Sequence, residues 1–149
     1  MKIDKAFEII EDNIEESDFV GKIKDESITK LEELLNIVLP YSYKRFIQNY
    51  GCGDIFGIEI YGIVSDDKIQ VDSIPSLYWL IKVLREEGLH NNYIAFSETG
   101  DGKYFILDTS NINEENECPV YIWSPGNFQV EKISSSFGVF LYETLKEFE

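Results

Sequence analysis

The chain predicts an α+β fold, and three observations carry that expectation. Helical apolar periodicity dominates both ends, strand-like alternation fills the middle, and the middle strands are joined by turns short enough for hairpins. The expected architecture is a single domain over residues 1–149, with a central sheet that is largely antiparallel or mixed. N-terminal helices and a C-terminal helix flank it. A chain of 149 residues is long enough for one ordinary core and short for two.

The first helix is expected over residues 3–15, with Phe7, Ile10 and Ile14 on one side and Glu8, Glu11, Asp12 and Glu15 elsewhere. The second spans Glu26 to Asn36, with Ile28, Leu31, Leu34 and Leu35 as the buried stripe and Asp25 as the cap. The third runs from Pro40 to Tyr50. Proline suits a first helical position, where no backbone donor is needed. Tyr43, Phe46, Ile47 and Tyr50 then fall at i, i+3, i+4 and i+7 on one face, and Gly51 closes the helix. A strand follows over Ile55–Ile63, where Phe56, Ile58 and Ile60 alternate with Gly57, Glu59 and Tyr61.

Ser65-Asp66-Asp67-Lys68 reads as a polar turn. A fourth helix covers Ser76 to Glu87 and stops at Gly88. Strands are expected at Tyr93–Ser97, Lys103–Asp108 and Val120–Trp123, the first two joined by the glycine-rich hairpin Glu98-Thr99-Gly100-Asp101-Gly102. Residues 111–117 form an acidic, asparagine-rich loop. A short strand covers Val130–Ile133. The last helix runs from Ser136 to Glu147, with Phe137, Phe140, Leu141, Leu145 and Phe148 inward.

Four stretches together have a recognisable wording. They are Leu39-Pro40-Tyr41-Ser42-Tyr43-Lys44-Arg45-Phe46-Ile47-Gln48-Asn49-Tyr50-Gly51 after a helix containing Leu31-Glu32, and the strand ending Tyr61-Gly62-Ile63. Ile94-Ala95-Phe96-Ser97 leading into Gly100-Asp101-Gly102-Lys103-Tyr104-Phe105-Ile106-Leu107-Asp108 is the third, and Cys118-Pro119-Val120-Tyr121 before the closing helix is the fourth. In this order and spacing the chain resembles the SUKH superfamily, whose branches include fungal cell-wall-assembly regulators and bacterial immunity proteins. The resemblance covers the chain from Glu26 to its C-terminus. It implies an α+β domain that works by binding another protein, with the Gly100–Gly102 turn mainly structural.

The formal net charge is −15. Acidic residues exceed basic ones 11 to 7 in residues 1–50, 8 to 3 in 51–100 and 9 to 3 in 101–149, so the imbalance is spread along the fold. Such a surface repels phosphate backbones and anionic lipid, which disfavours nucleic-acid and membrane binding. It speeds encounter with a basic protein, and a protein that itself binds nucleic acid is the natural candidate. Solubility alone also explains acidity, and both readings stand at this point. No stretch reaches the length of a membrane span, the N-terminus has no apolar signal region, and the expected location is the cytoplasm.

Motifs for chemistry are sparse. Cys52 and Cys118 have no CxxC or metal-like spacing, so neither zinc nor a disulfide is expected and both read as free thiols. The sole histidine, His90, lies in the polar turn Gly88-Leu89-His90-Asn91-Asn92 with no nucleophile nearby in sequence; a solvated loop histidine accounts for it. Gly100-Asp101-Gly102 lacks the lysine-serine pair of a phosphate loop and the alternating ligands of a calcium loop. Adjacent acids such as Asp66-Asp67, Glu86-Glu87 and Glu114-Glu115 are expected by chance among 28, so none marks a glycosidase pair. No catalytic residue, cofactor or metal site is expected.

Two functions remain. The first is a non-enzymatic immunity protein that binds and neutralises a cognate toxin, expected to be a basic nuclease. The second is an intracellular regulatory or scaffold protein like the fungal branch. Few alanines and arginines beside many isoleucines, lysines and asparagines suit an AT-rich bacterial genome and favour the first. The expected contact residues are acids in turns and at strand ends, Asp54, Glu59, Asp66, Asp67, Glu98 and Asp101. Trp79 projects with Val83 from the side of the fourth helix opposite the Leu77, Leu80, Ile81 and Leu84 stripe. A helix apolar on both faces is either covered by neighbours or carries an exposed anchor, which makes Trp79 a candidate aromatic anchor. A monomer or weak dimer is expected.

Overall fold

The computed structural model describes residues 1–149. Helix α1 (Lys2–Asp12) is followed by a 3-10 turn (Ile14–Glu16) and strand β1 (Ser17–Phe19). Helices α2 (Asp25–Leu35) and α3 (Tyr41–Tyr50) come next, then β2 (Gly53–Ile55), β3 (Ile58–Ile60) and α4 (Leu77–Glu86). The chain ends with β4 (Tyr93–Glu98), β5 (Tyr104–Asp108), β6 (Val120–Trp123), β7 (Glu131–Ser134) and α5 (Phe137–Lys146). The α+β, antiparallel character is as expected, but the strands form two sheets rather than one. One has the order β1-β2-β3 and the other β4-β5-β6-β7, every pair antiparallel.

The expected strand Ile55–Ile63 is a hairpin. Phe56 and Gly57 both take positive φ, 54° and 81°, the pair a two-residue turn of the primed kind requires, and Ile55 pairs with Ile58 across it. Gly57 supplies that conformation readily; Phe56 adopts it while its ring stacks on Phe148, centroids 4.9 Å apart. Phe148 is thereby half exposed rather than inward, and Leu34 also lies at the surface, 38% exposed.

The sheets are stitched together by the segment after β3. Tyr61 N donates to Phe96 O (2.8 Å) and Ser97 Oγ donates to Glu59 O (2.6 Å). Beneath this junction lies an aromatic core of Tyr43, Phe46, Phe96 and Phe137, all fully buried, with Phe137 4.9 to 5.7 Å from the other three rings. Tyr43 satisfies its hydroxyl by donating to Tyr61 O at 2.7 Å.

Caps come from distant residues. Asp25 is the first residue of α2 rather than its cap, and its carboxylate accepts from Gln48 Nε2 at 2.8 Å. The capping acceptor is Asp66, which takes Lys24 N (3.0 Å) and Ser27 Oγ (2.5 Å). Pro40 precedes α3 at its N-cap. The free donors of that helix go to the acidic loop: Tyr41 N to Asn116 O (2.8 Å), and Ser42 N and Oγ to the Glu117 carboxylate (3.2 and 2.8 Å). Ser42 Oγ in turn accepts from Gly138 N in the first turn of α5 at 2.9 Å.

Candidate functional site

The three-stranded sheet buries one face and presents the other. Ile55 and Ile60 point into the core. The alternate positions place Asp18 opposite Asp54, and Asp54 opposite Glu59. Three carboxylates therefore stand in a row across three strands, with neighbouring Cβ atoms about 5 Å apart. Burial, then the fields of Asp54 and Asp18, push the Glu59 carboxyl above its usual range. Like charges directly opposite each other weaken a sheet, so stability does not explain the row.

The row continues past the sheet junction. Burial pushes the Tyr61 hydroxyl up to about 12, with Glu98, Tyr104 and Glu59 adding to it. Tyr104 is raised by burial and by Glu98 and Glu87. Glu98 follows Ser97, whose hydroxyl donates to Glu59 O, and pairs opposite Tyr104. It thus extends the row of Asp18, Asp54 and Glu59 into one acidic band, with Glu87 beyond it on the far side of Tyr104. The band is nearly free of compensation: of 28 acidic residues only Asp4 makes ion pairs, with Arg45 (2.6 Å) and the N-terminal amine (3.4 Å).

Of the expected contact residues, the band gathers Asp54, Glu59 and Glu98. Asp66 lies elsewhere, holding the start of α2, and its hydrogen bonds from Ser27 and Lys24 keep its carboxyl below the usual range. Asp67 is exposed in the same turn. Asp101 sits at the tip of the β4–β5 turn, where the Thr99 hydroxyl donates to it and lowers its carboxyl. Trp79 is half-buried on α4 against the core. Asp18 was not anticipated, because a three-residue strand is too short to show a period of two.

Groups suited to chemistry are tied up or isolated. Cys52 and Cys118 are buried, and burial pushes both thiols to about 12, where no thiolate is present at neutral pH. His90 is exposed; its Nδ1 accepts from Asn92 N at 3.1 Å. Glu117, 5% exposed, is raised by burial against the lowering effect of its Ser42 hydrogen bonds, and it serves as the cap of α3. No group of three or more histidine, cysteine or acidic side chains is arranged to hold a metal ion. No helix is long and apolar enough to cross a membrane.

Comparison with known proteins agrees with this architecture. A crystal structure of a protein from Pseudomonas syringae pv. tomato superposes with a TM-score of 0.61, covering 83% of this chain and 88% of that one. At 16% identity the likeness is one of fold alone. The family model SUKH_5, described as SMI1-KNR4 cell-wall, matches residues 3–146. That match takes in all seven strands and, but for the first residue of α1, all five helices: the chain belongs to the SUKH_5 (SMI1-KNR4) family.

Proposed function

We propose that this protein is a non-enzymatic immunity protein that binds the basic domain of a toxin, a nuclease being the expected class, and blocks it. The observation that carries the reading is the unpaired acidic band from Asp18 through Asp54 and Glu59 to Glu98. A row of like charges that weakens its own sheet is explained by a partner that supplies the opposite charge on binding. Family membership points the same way, because binding rather than catalysis is the family's expected mode. The residues proposed to meet the partner are Asp18, Asp54, Glu59 and Glu98, with Asp67 and Asp101 as outlying charges. The family's printed description also supports a regulator of cell-wall assembly, a role that does not call for a basic partner.

Co-expression with the proposed partner, sought as a basic toxin domain encoded beside this chain's gene, tests the proposal. The wild-type chain is expected to restore growth. The variant carrying Asp18→Asn, Asp54→Asn and Glu59→Gln, similar in shape and folded, is expected to protect less at equal expression. Failure of the wild type to protect contradicts the immunity reading, and full protection by the triple variant removes the band as the contact surface.

A further inference from the structure

The four-stranded sheet has two unlike faces. Phe105, Leu107, Val120 and Ile122 share the face toward α5, where Phe105 packs 4.7 Å from Phe140. The register puts Tyr104 opposite Trp123, Ile106 opposite Tyr121 and Tyr93 opposite Asp108 on the other face. Ala95 and Ile106 at the centre of this face are fully buried, and α4 packs beside β4. The turn after α4 and the loop after β6 reach over one part of it and leave a cleft of about 280 Å³. Tyr93, Trp123, His90 and Phe128 line it, with Glu87 at its lip and no lysine or arginine among the lining residues.

Phe128 is the unusual member. Its side chain is fully exposed, on a surface otherwise rich in charge. An aromatic ring held in water beside a carboxylate loses hydrophobic stabilisation in the free protein and becomes useful when something covers it. The other rings are held in place: Trp123 is 4% exposed with Tyr104 6.2 Å away, and Tyr93 lies 5.3 Å from His90. The cleft is smaller than a typical small-molecule pocket, about 300–1,000 Å³, and suits a single long side chain. Its chemistry is aromatic faces plus one carboxylate. A planar cation satisfies both, since a guanidinium stacks on rings and offers a two-pronged edge to a carboxylate. An ammonium ion is more strongly hydrated and cannot stack.

We propose that this cleft, between the turn after α4 and the loop after β6, receives an arginine side chain from a basic protein partner, with Phe128 and Tyr93 as stacking surfaces and Glu87 as the counter-charge. The cleft joins the acidic band through Tyr104, which feels both Glu87 and Glu98, so an arginine seated here lies at the edge of the same contact surface. Only the source of the arginine rests on the immunity reading. The preference for a guanidinium is a property of this chain alone.

The test titrates the isotope-labelled full chain with Nα-acetyl-arginine methylamide, followed by NMR. The citrulline analogue, neutral and of the same shape, and the lysine analogue serve as comparators. Saturable shifts are expected at the Trp123 indole N–H and at Tyr93 and Phe128, with millimolar affinity. Glu87→Gln and Phe128→Ala, both at exposed positions, are each expected to weaken binding about threefold or more. The citrulline analogue should leave these signals unchanged, and the lysine analogue should bind more weakly. Absence of shifts at the cleft, or an equal response to either comparator, overturns the proposal. If the arginine analogue fails while the toxin domain still binds, this inference falls and the immunity reading stands. If arginine binds the cleft but the chain gives no protection, the reverse holds.

Discussion

Phe46→Ala is expected to remove about 3–5 kcal/mol of stability, the usual loss for a large aromatic cut from a packed core. The ring is fully buried and meets Phe19 at 5.6 Å, Phe137 at 5.7 Å and Tyr50 at 5.8 Å. It therefore ties α3 to β1 and α5 at once. Its neighbours belong to three different elements anchored by their own hydrogen bonds, so they cannot collapse into the space, and the cavity contribution adds to the lost transfer energy. A domain of this size has a total stability of about 5–15 kcal/mol, so the variant should unfold at a much lower urea concentration with an unchanged slope. An unchanged midpoint contradicts this placement of α3.

Gly62→Ala is expected to be comparably damaging, by about 3 kcal/mol or more, for the opposite reason of too many atoms. A methyl group on Gly62 would meet the carbonyl oxygen of Gly51, which is backbone and cannot rotate away. The segment there, just after β3, is also held on both sides. Gly62 N donates to Pro75 O (3.0 Å), Leu77 N donates to Gly62 O (2.8 Å) and Ile63 N donates to Gly51 O (3.2 Å). Any shift that relieves the clash breaks these bonds and loosens the junction between the sheets. Gly138 makes the contrast. A methyl group there would meet the side chains of Ile3 and Ser42 at 3.1 and 3.2 Å, a few tenths of an ångström too close, inside a helix where alanine is favoured over glycine by about 1 kcal/mol. Thermal melts of the two variants should rank Gly62→Ala far below Gly138→Ala. Equal melting temperatures contradict the account of the junction.

The sequence was most legible where a period repeats several times. The stripe of Tyr43, Phe46, Ile47 and Tyr50 turns inward as one face, and so does that of Leu77, Leu80, Ile81 and Leu84. Strands β4 to β7 lie where expected, with only the edges moved: β4 ends at Glu98 rather than Ser97, β5 begins at Tyr104 rather than Lys103, and β7 spans Glu131–Ser134 rather than Val130–Ile133. Legibility ended where a feature depends on residues far apart. The break at Phe56–Gly57 was hidden because phenylalanine rarely adopts positive φ, so an alternating pattern ran on through a turn. Without that break, β2 and β3 could not be seen as a hairpin, nor the strands as two sheets. Of the acids in the 111–117 loop, only Glu117 is buried, and its partner Ser42 lies 75 residues away. The band was visible in part, since Asp54, Glu59 and Glu98 stand at turns and strand ends. Asp18 entered it only through strand pairing.

If the acidic band recruits a basic protein, the association rate with the proposed toxin partner is the quantity that depends on it. Stopped-flow rates should be measured at low and high salt for the wild type and for the Asp18→Asn, Asp54→Asn, Glu59→Gln variant. The wild-type rate is expected to fall by about tenfold or more as salt shortens the reach of the charges, and the variant should start slower and respond less. Stability should stay the same or rise slightly, because the substitutions relieve the repulsion between carboxylates placed opposite one another across the strands. Two proteins that associate equally fast, with neither rate responding to salt, would contradict the claim and leave the net charge of −15 as a determinant of solubility alone.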